Sequence, residues 1–199
     1  VIPLGVDLES FKYDLNAREK LRKKLGISDE TKLIVYTGKR DKIKDPYILL
    51  PVLKHLLNQG LNFKLLFVGE NVNSYDDNIN QYLIKNTEMA SRVIIEPPVK
   101  NDELYKVYSA GDFAVWPNQS SMSMLEAMAC HCPVVASAIK INAERLNNER
   151  GVLFENGNQG SLVNAILVAD HGRILLTENA FSWIKNFSWE KLARESIGV

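Results

Sequence analysis

One acidic residue, Glu126, lies within an otherwise apolar run of good helix formers, residues 122–130, which is predicted to form a helix. Before it come a β-rich run that ends at Trp116, a Pro117 that stops the strand, and a polar loop, residues 118–121. The helix therefore begins beyond the carboxyl end of a strand, where its free amides and positive dipole end favour anions. Glu126 itself is either solvated or bound to a partner. Three hydroxyls could cap the helix: Ser120, Ser121 or Ser123.

A second group of charged side chains follows the first predicted strand, residues 33–37. Gly38 allows a sharp turn of the backbone. A charge run alone is typical of a solvated loop, but the carboxyl end of a strand is where open α/β sheets bind ligands. The segment carries four cations, Lys39, Arg40, Lys42 and Lys44, and these residues alone leave it open whether it is a solvated loop or an anion-binding loop.

Two further groups of potential metal ligands have unsuitable spacing. Cys130, His131 and Cys132 form a C-H-C sequence, but zinc sites use ligand pairs at wider spacing together with a second cluster. The pair Asp76-Asp77 is more typical of a cap between a loop and a helix. We interpret the cysteines as small apolar residues at a helix-to-strand junction and expect no metal site.

Size and composition set broad limits. The chain has 199 residues and 46% apolar residues, which suits one α/β domain with a substantial core. Because 24 basic residues balance 24 acidic ones, nothing indicates nucleic acid or an anionic membrane as a partner. No apolar run approaches the roughly 20 residues of a membrane span. The opening V-I-P-L-G-V-D looks internal, so we expect the chain to be a fragment.

Short β-rich runs alternate with helical periodicity at the spacing of βαβ units. This pattern predicts an α/β, Rossmann-like, doubly wound parallel sheet of about six strands with helices on both faces. The motifs G-x-G-x-x-G, G-x-x-x-x-G-K-[ST] and G-x-S-x-G are absent, which argues against dinucleotide, P-loop and α/β-hydrolase sites. The predicted strands are 33–37, 63–68, 92–96, 113–116, 134–137 and 152–154. Predicted helices are 16–25, 45–58 capped by Asp45, 79–88, 122–130, a short one within 138–150, 157–169, 173–186 and a last one capped by Ser188.

The segment S-M-L-E-A-M-A-C-x-C-P-V-V-A-S, residues 123–137, resembles the donor-binding motif of retaining glycosyltransferases of family 4, which have the two-domain GT-B fold. In that family a glutamate, seven residues and a second glutamate lead into A-M-A. Glu126 matches the second glutamate, whereas Asn118 stands at the first and N-Q-S-S replaces the family's E-G-F-G. Five other stretches resemble motifs of the family in the same order: 1–11, 38–44, 63–69, 98–113 and 187–193. The resemblance therefore covers nearly the whole chain.

This resemblance implies roles for residues around one donor site. Lys39 and Lys44 would bind the diphosphate of a nucleoside diphosphate sugar, together with the amides of residues 121–123. Glu126 would accept hydrogen bonds from the ribose, and Asn118 would face the sugar. The remaining donor-binding residues would be Gly38, Arg40 and Gly69, then Pro98, Val99, Lys100 and Leu104 around the nucleobase, and finally Ser120, Ser121, Met122 and Ser123.

The resemblance also implies an activity and an organisation. Residues 1–199 would form the C-terminal, donor-binding domain, and the N-terminal acceptor-binding domain would lie outside this chain. The full enzyme would transfer the sugar to a hydroxyl of an acceptor sugar or lipid-linked glycan, with retention of configuration and without a cofactor or metal. The isolated domain should bind the donor without transferring it. The expected location is the cytoplasm, with peripheral contact to the inner membrane face through the other domain.

Three alternatives stay open at this point. Because Asn118 carries no charge, the chain could be a nucleotide-sugar-binding domain without transferase activity. A GT-B-like nucleotide-sugar epimerase would convert the donor without any acceptor. A scaffold or partner-binding domain would bind no nucleotide.

Overall fold

The structure is a computed structural model that describes residues 5–189 and residue 191. Its strands are β1 Lys32–Thr37, β2 Phe63–Val68, β3 Val93–Glu96, β4 Phe113–Trp116, β5 Val134–Ser137 and β6 Val152–Phe154. Its α-helices are α1 Leu15–Lys24, α2 Leu49–Asn58, α3 Asp76–Lys85, α4 Leu104–Ala110, α5 Ser123–Ala129, α6 Lys140–Leu146, α7 Gln159–His171 and α8 Arg173–Ile184. Short 3₁₀ turns cover Pro46–Ile48, Thr87–Arg92, Asn101–Glu103 and Lys185–Phe187.

The strands form one parallel, six-stranded sheet in the order β3-β2-β1-β4-β5-β6. Successive residues of β1 serve opposite faces: Leu33 and Val35 join one core, and Ile34 and Tyr36 join the other. Helices α1, α4 and α5 cover the first face, while α2, α3 and α7 cover the second. The predicted α/β, doubly wound parallel sheet with helices on both faces is therefore confirmed.

The strand order reverses between β1 and β4. The chain builds outward from β1 to β3 and then returns to place β4 against the free side of β1. Open α/β sheets bind ligands in the crevice outside the carboxyl ends of the strands at such a reversal. The basic loop, residues 38–45, leaves β1 there, and the polar loop, which in the structure extends over residues 117–122, leaves β4 there. The fold thus brings the two predicted anion-binding segments to one place.

The element boundaries agree with the sequence prediction except near α2 and α3, and helix α4 was not predicted. Every strand lies within one residue of its expected bounds, but α3 begins at Asp76 rather than at residue 79. Asp45 lies at the N-cap position as predicted, but of the 3₁₀ turn Pro46–Ile48, and with a φ of 39° its side chain makes no capping bond. Its carboxylate accepts a hydrogen bond from the Tyr75 hydroxyl instead.

The first and last described segments of the chain are joined. Val6 forms a parallel bridge with Ser188, and the hydroxyl of Ser188 accepts a hydrogen bond from the Lys191 amide at 3.2 Å, as expected of a cap. Residues 1–4 and most of the last predicted helix lie outside the described residues. Within residues 5–189 and 191, the helices are all too short or too polar to cross a bilayer.

A buried ion cluster around Asp112 ties the helices to the edge of the sheet opposite the two loops. Its carboxylate receives hydrogen bonds from Arg18 at 2.9 Å and Arg22 at 3.1 Å, both on α1. Arg173 on α8 and the Leu33 amide at the start of β1 add bonds of 2.8 and 2.7 Å. Burial alone would raise the pKa of Asp112, but the Leu33 bond and the arginine charges outweigh it and hold that pKa below its ordinary value.

Candidate functional site

Two glycines fix the backbone where the chain leaves β1 and β2. Gly69 has a φ of 149°, and a Cβ there would lie 1.9 Å from the carbonyl oxygen of Gly38, so a larger residue does not fit. The Gly38 amide donates a hydrogen bond to the Val68 carbonyl at 3.0 Å, which holds together the two segments that leave β1 and β2. The close approach therefore explains both glycines structurally, and their expected contact with a donor stays a prediction.

Arg40 anchors the basic loop rather than pointing into the crevice. Its guanidinium binds both carboxylate oxygens of Asp76, at 2.6 and 2.7 Å, and donates to the Gly69 carbonyl at 2.8 Å. The residue is 3% exposed. Because this buried fork is already occupied, the expected direct contact of Arg40 with a donor does not fit the structure. Asp76, which begins α3, is likewise explained by this pair rather than by a metal.

The other two predicted phosphate ligands keep their charges available. Lys44 makes no ion pair within the described residues, and its Nζ would lie 3.6 Å from a Cβ built on Gly38, so the ammonium lies over that glycine. Lys39 is 61% exposed and its Nζ lies 3.6 Å from a carboxylate oxygen of Glu70, which is also exposed. A surface pair of this kind stabilises little. Both lysines can therefore turn to an anion at this edge.

Asn118 joins the polar loop to the basic loop. Its side-chain amide donates to the Ile43 carbonyl, and its own carbonyl accepts a hydrogen bond from the Ser137 hydroxyl at 3.1 Å. Within the described residues its Oδ1 accepts no hydrogen bond. This oxygen is thus available to a hydroxyl, although the neutral amide replaces the charge that a glutamate would bring.

The serines of the polar loop do not cap α5 as expected. The residue at the N-cap position is Met122, and it makes no side-chain capping bond. The Ser121 hydroxyl accepts a hydrogen bond from the Ser123 amide at 3.3 Å. The amides of Ser121 and Met122 donate to no acceptor in the described part of the chain, so they could meet an anion.

A cation that the sequence analysis missed also holds this loop. Arg145, on α6, donates from Nη1 to the Ser120 hydroxyl at 2.6 Å and to the Ser121 carbonyl at 2.9 Å. Its burial lowers the pKa of the guanidinium, which stays a strong hydrogen-bond donor. The available signal was the position of this arginine in the segment that follows β5, which leaves the same edge of the sheet as the two loops.

Glu126 lies in the first turn of α5 with one oxygen bonded and one oxygen free. Oε1 accepts a hydrogen bond from the Asn101 side chain at 3.1 Å. Oε2 is buried and has no partner. Burial raises the pKa of Glu126 above its ordinary value, while the hydrogen bond from Asn101 acts against that rise. A buried, unpartnered carboxylate oxygen is costly, so it marks a place where a donor group would be stabilising.

The segment that follows β3 reaches the same place through Asn101. Pro98, Val99 and Lys100 are exposed, and Leu104 packs against the core at the start of α4. The Val99 side chain lines a groove between α1 and α4, so that side chain is not part of the crevice. The backbone around these residues stays the predicted nucleobase contact.

The cysteines are structural. Cys130 and Cys132 are free and buried, and burial raises the pKa of both thiols. His131, between them, packs edge-on against Phe181 with ring centroids 4.2 Å apart. No group of three or more His, Cys, Asp or Glu side chains suited to a metal occurs within residues 5–189 and 191. Metal independence stays a prediction.

The sequence that carries this site matches a known protein family. The pattern of the family described as glycosyl transferases group 1 matches residues 17–186, which is most of the chain. The chain belongs to this family. The match includes the basic loop, the polar loop and α5, so the site described above lies within the part of this group 1 glycosyl transferase that its family shares.

Relatives of this group 1 chain are longer. It is 28% identical over 212 residues to the D-inositol 3-phosphate glycosyltransferase of Xylanimonas cellulosilytica, and this match covers 100% of this chain and 50% of that protein. The chain thus spans about half the length of the curated relatives it matches.

Solved structures share the fold. Sucrose-phosphate synthase from Thermosynechococcus elongatus superposes with a TM-score of 0.83 at 24% identity, over 98% of this chain and 50% of that one. Anabaena Alr3699/HepE, solved in complex with UDP and glucose, gives a TM-score of 0.84 at 20% identity, over 100% of this chain and 55% of that one. These neighbours support a GT-B C-terminal domain and so confirm the coarse assignment of the fold.

Proposed function

We propose that this chain is the donor-binding half of a retaining glycosyltransferase of family 4, which transfers a sugar from a nucleoside diphosphate sugar to an acceptor hydroxyl. The observation that carries the proposal is the buried Oε2 of Glu126, which lacks a partner beside the crevice. A ribose offers two hydroxyl donors to one carboxylate and would satisfy that oxygen. The structure of Anabaena Alr3699/HepE contains UDP and glucose, which supports a ligand of this class.

The charged groups at the crevice suit a departing diphosphate. As the glycosidic bond breaks, negative charge grows on the phosphate oxygens, and the ammoniums of Lys39 and Lys44 stabilise it without a metal. The amides of Ser121 and Met122 add two donors from the polar loop. Arg145 bonds to the polar loop, and Arg40 ties the basic loop to Gly69, so both arginines fix the loops that carry these donors. The charge developed during transfer is thus met by groups from both loops.

Retention follows from a front-face transfer. No protein nucleophile is assigned, because Asn118 carries no charge and Glu126 serves the ribose. The bond from the anomeric carbon to the phosphate oxygen breaks while the acceptor oxygen bonds to the same face of that carbon. The acceptor proton passes to the departing phosphate. The acceptor, a sugar or a lipid-linked glycan, is held by an N-terminal domain outside this chain, in the cytoplasm or at the inner membrane face.

The replacement of a glutamate by Asn118 favours a second candidate, a nucleotide-sugar-binding domain without transfer. A neutral amide holds a sugar hydroxyl more weakly than a carboxylate does. Incubation of the full-length protein with donor and acceptor separates the candidates: we expect a glycoside with the anomeric configuration of the donor. Bound but unreacted donor would support the binding domain, and conversion of the donor without any acceptor would indicate an epimerase.

Replacing Glu126 with Gln should weaken nucleotide binding and stabilise the free chain. The charged acceptor is lost, so nucleoside diphosphate affinity falls by roughly 1–2 kcal/mol. The folded carboxyl has a raised pKa, so its burial costs stability above that pKa, and this cost fades as pH falls through it. At neutral pH the variant should therefore melt slightly higher, with a difference that disappears in acid. Calorimetric titration measures the change in affinity, and thermal melts over a range of pH measure the change in stability.

The matched control is Glu30→Gln, an exposed glutamate far from the crevice, which should change neither affinity nor melting temperature. A Glu126→Gln chain that binds nucleoside diphosphate as tightly as the parent would remove the ribose role.

Binding of a nucleoside diphosphate should survive EDTA. The two ammoniums neutralise the diphosphate directly, so no divalent cation is required for affinity. Titrations with EDTA and with Mg²⁺ or Mn²⁺ should give the same dissociation constant. Collapse of affinity on chelation, with recovery on adding either cation, would place the protein in a metal-dependent class.

A further inference from the structure

A second cavity lies beside the basic loop, between the 3₁₀ turn Pro46–Ile48 and α3. Its volume is about 340 Å³. Ligand pockets generally span roughly 300–1,000 Å³, so this one suits a small ligand. None of the residues of the polar loop or of α5 lines it, which makes it distinct from the proposed donor site.

The inner wall of the cavity is aromatic and fixed. The rings of Tyr47 and Tyr82 pack edge to face with centroids 5.6 Å apart and planes at 86°. Below them, the buried Tyr75 hydroxyl donates to the Asp45 carboxylate and accepts a hydrogen bond from the Tyr47 amide at 3.1 Å. Such a corner offers flat apolar surface against which the C–H face of a sugar ring can pack.

The rim of the cavity is polar and carries free positive charge. Asn78 and Gln81 lie three residues apart on α3, and their amides can both donate to and accept from sugar hydroxyls. Lys42 and Lys85 line the rim and make no ion pair within the described part of the chain. The acidic group at the cavity, Asp45, is already bonded to Tyr75. Two ammoniums against one carboxylate leave a net positive charge at the rim, which favours an anionic ligand.

The backbone around this cavity adopts sparsely populated conformations. Asp45, which lines the cavity, has a left-handed φ of 39°, and Asn73 and Ser74, which directly precede Tyr75, have φ values of 53° and 55°. Such conformations cost of order 1–3 kcal/mol each and cluster at ligand sites.

We propose that this cavity binds an acidic saccharide. The carboxylate of a uronic acid residue contacts Lys42 and Lys85, its hydroxyls contact Asn78 and Gln81, and its ring packs on the tyrosine corner. Lys42 belongs to the same loop as Lys39 and Lys44, so a glycan held here would lie next to the proposed diphosphate contacts. The assignment does not require that the donor site itself be correct.

The test is an NMR titration of the ¹⁵N-labelled chain with trigalacturonate, with neutral maltotriose as the comparison ligand. Trigalacturonate should shift the amides of α3 and of residues 42–47, and maltotriose should bind more weakly. Lys85→Glu should weaken trigalacturonate binding about tenfold or more, because it removes a charge-assisted bond and adds repulsion. Asn80→Ala, an exposed position on the same helix that does not line the cavity, should leave binding unchanged.

Absence of trigalacturonate binding would overturn the proposal. So would equal binding of maltotriose, an undiminished affinity in Lys85→Glu, or shifts confined to residues 117–126. A titration of the same sample with nucleoside diphosphates reports on the donor site separately, since only the nucleotides should shift residues 38–39 and 121–126, and only the saccharide should shift α3. Failure of one site is thereby distinguished from failure of the other.

Discussion

Replacing Asp112 with Asn should lower the free energy of unfolding by about 3–5 kcal/mol, because it leaves buried arginines without their counter-charge. The side chain of Asp112 is 3% exposed, and so is that of Arg22. For a chain of this size, the expected fall in melting temperature is roughly 6–20 °C. Chemical denaturation at neutral pH measures the change directly. Asp29→Ala, at an exposed turn, is the control and should lie within about 0.5 kcal/mol of the parent.

The pH dependence of this effect has a definite sign. The pKa of Asp112 is lowered in the folded chain from its ordinary 3.8, so its stabilisation is fully present above 3.8 and is lost as pH falls through the folded pKa. The gap between parent and Asp112→Asn should therefore stay constant from neutral pH down to about pH 4. A gap that already closes between pH 7 and 5 would contradict the assignment.

Replacing Lys44 with Ala should weaken nucleoside diphosphate binding by about tenfold or more. A hydrogen bond to a charged group contributes roughly 1.5–3 kcal/mol, and each 1.4 kcal/mol is a factor of ten. The ammonium lies over Gly38 at the crevice and makes no ion pair within the described residues, so the folded chain should lose little stability. Calorimetric titrations with a nucleoside diphosphate and with the bare nucleoside give the two affinities.

Lys44→Ala should affect the two ligands differently. Binding of the bare nucleoside should hardly change in Lys44→Ala, because the lysine serves the phosphates. Lys23→Ala, an exposed lysine on α1 outside the crevice, should bind both ligands like the parent. Equal weakening of nucleoside and nucleoside diphosphate in Lys44→Ala would remove the phosphate role.

The strands and most helices were predictable because their signal is local. A run such as residues 63–68 is short, apolar and bounded by turn residues, and it coincides with β2. The position of the two loops followed from the same pattern, since strand ends share one edge of a parallel sheet. The strand order required the three-dimensional pairing, because the pattern of strands and helices does not state which neighbour β4 joins.

The partners of individual charges were not predictable, since they come from distant parts of the chain. Arg40 looked like a phosphate ligand from its place in a basic loop, yet its buried partner Asp76 lies 36 residues away. Asp112 binds arginines from α1 and from α8, and their spacing in the sequence does not indicate that they share this partner. Arg145 likewise reaches the polar loop from α6.

The central claim is that this chain binds a nucleoside diphosphate sugar in the crevice between β1 and β4. A thermal-shift titration with UDP, GDP, ADP and CDP, and then with the sugar conjugate of the best base, tests it most directly. At a hundredfold excess over the dissociation constant, binding stabilises the native state by about 2.7 kcal/mol, so one base should raise the melting temperature by roughly 5–10 °C. That rise should shrink in Lys44→Ala and Glu126→Gln. No shift with any of the four diphosphates, or a shift that both variants keep in full, would contradict the account.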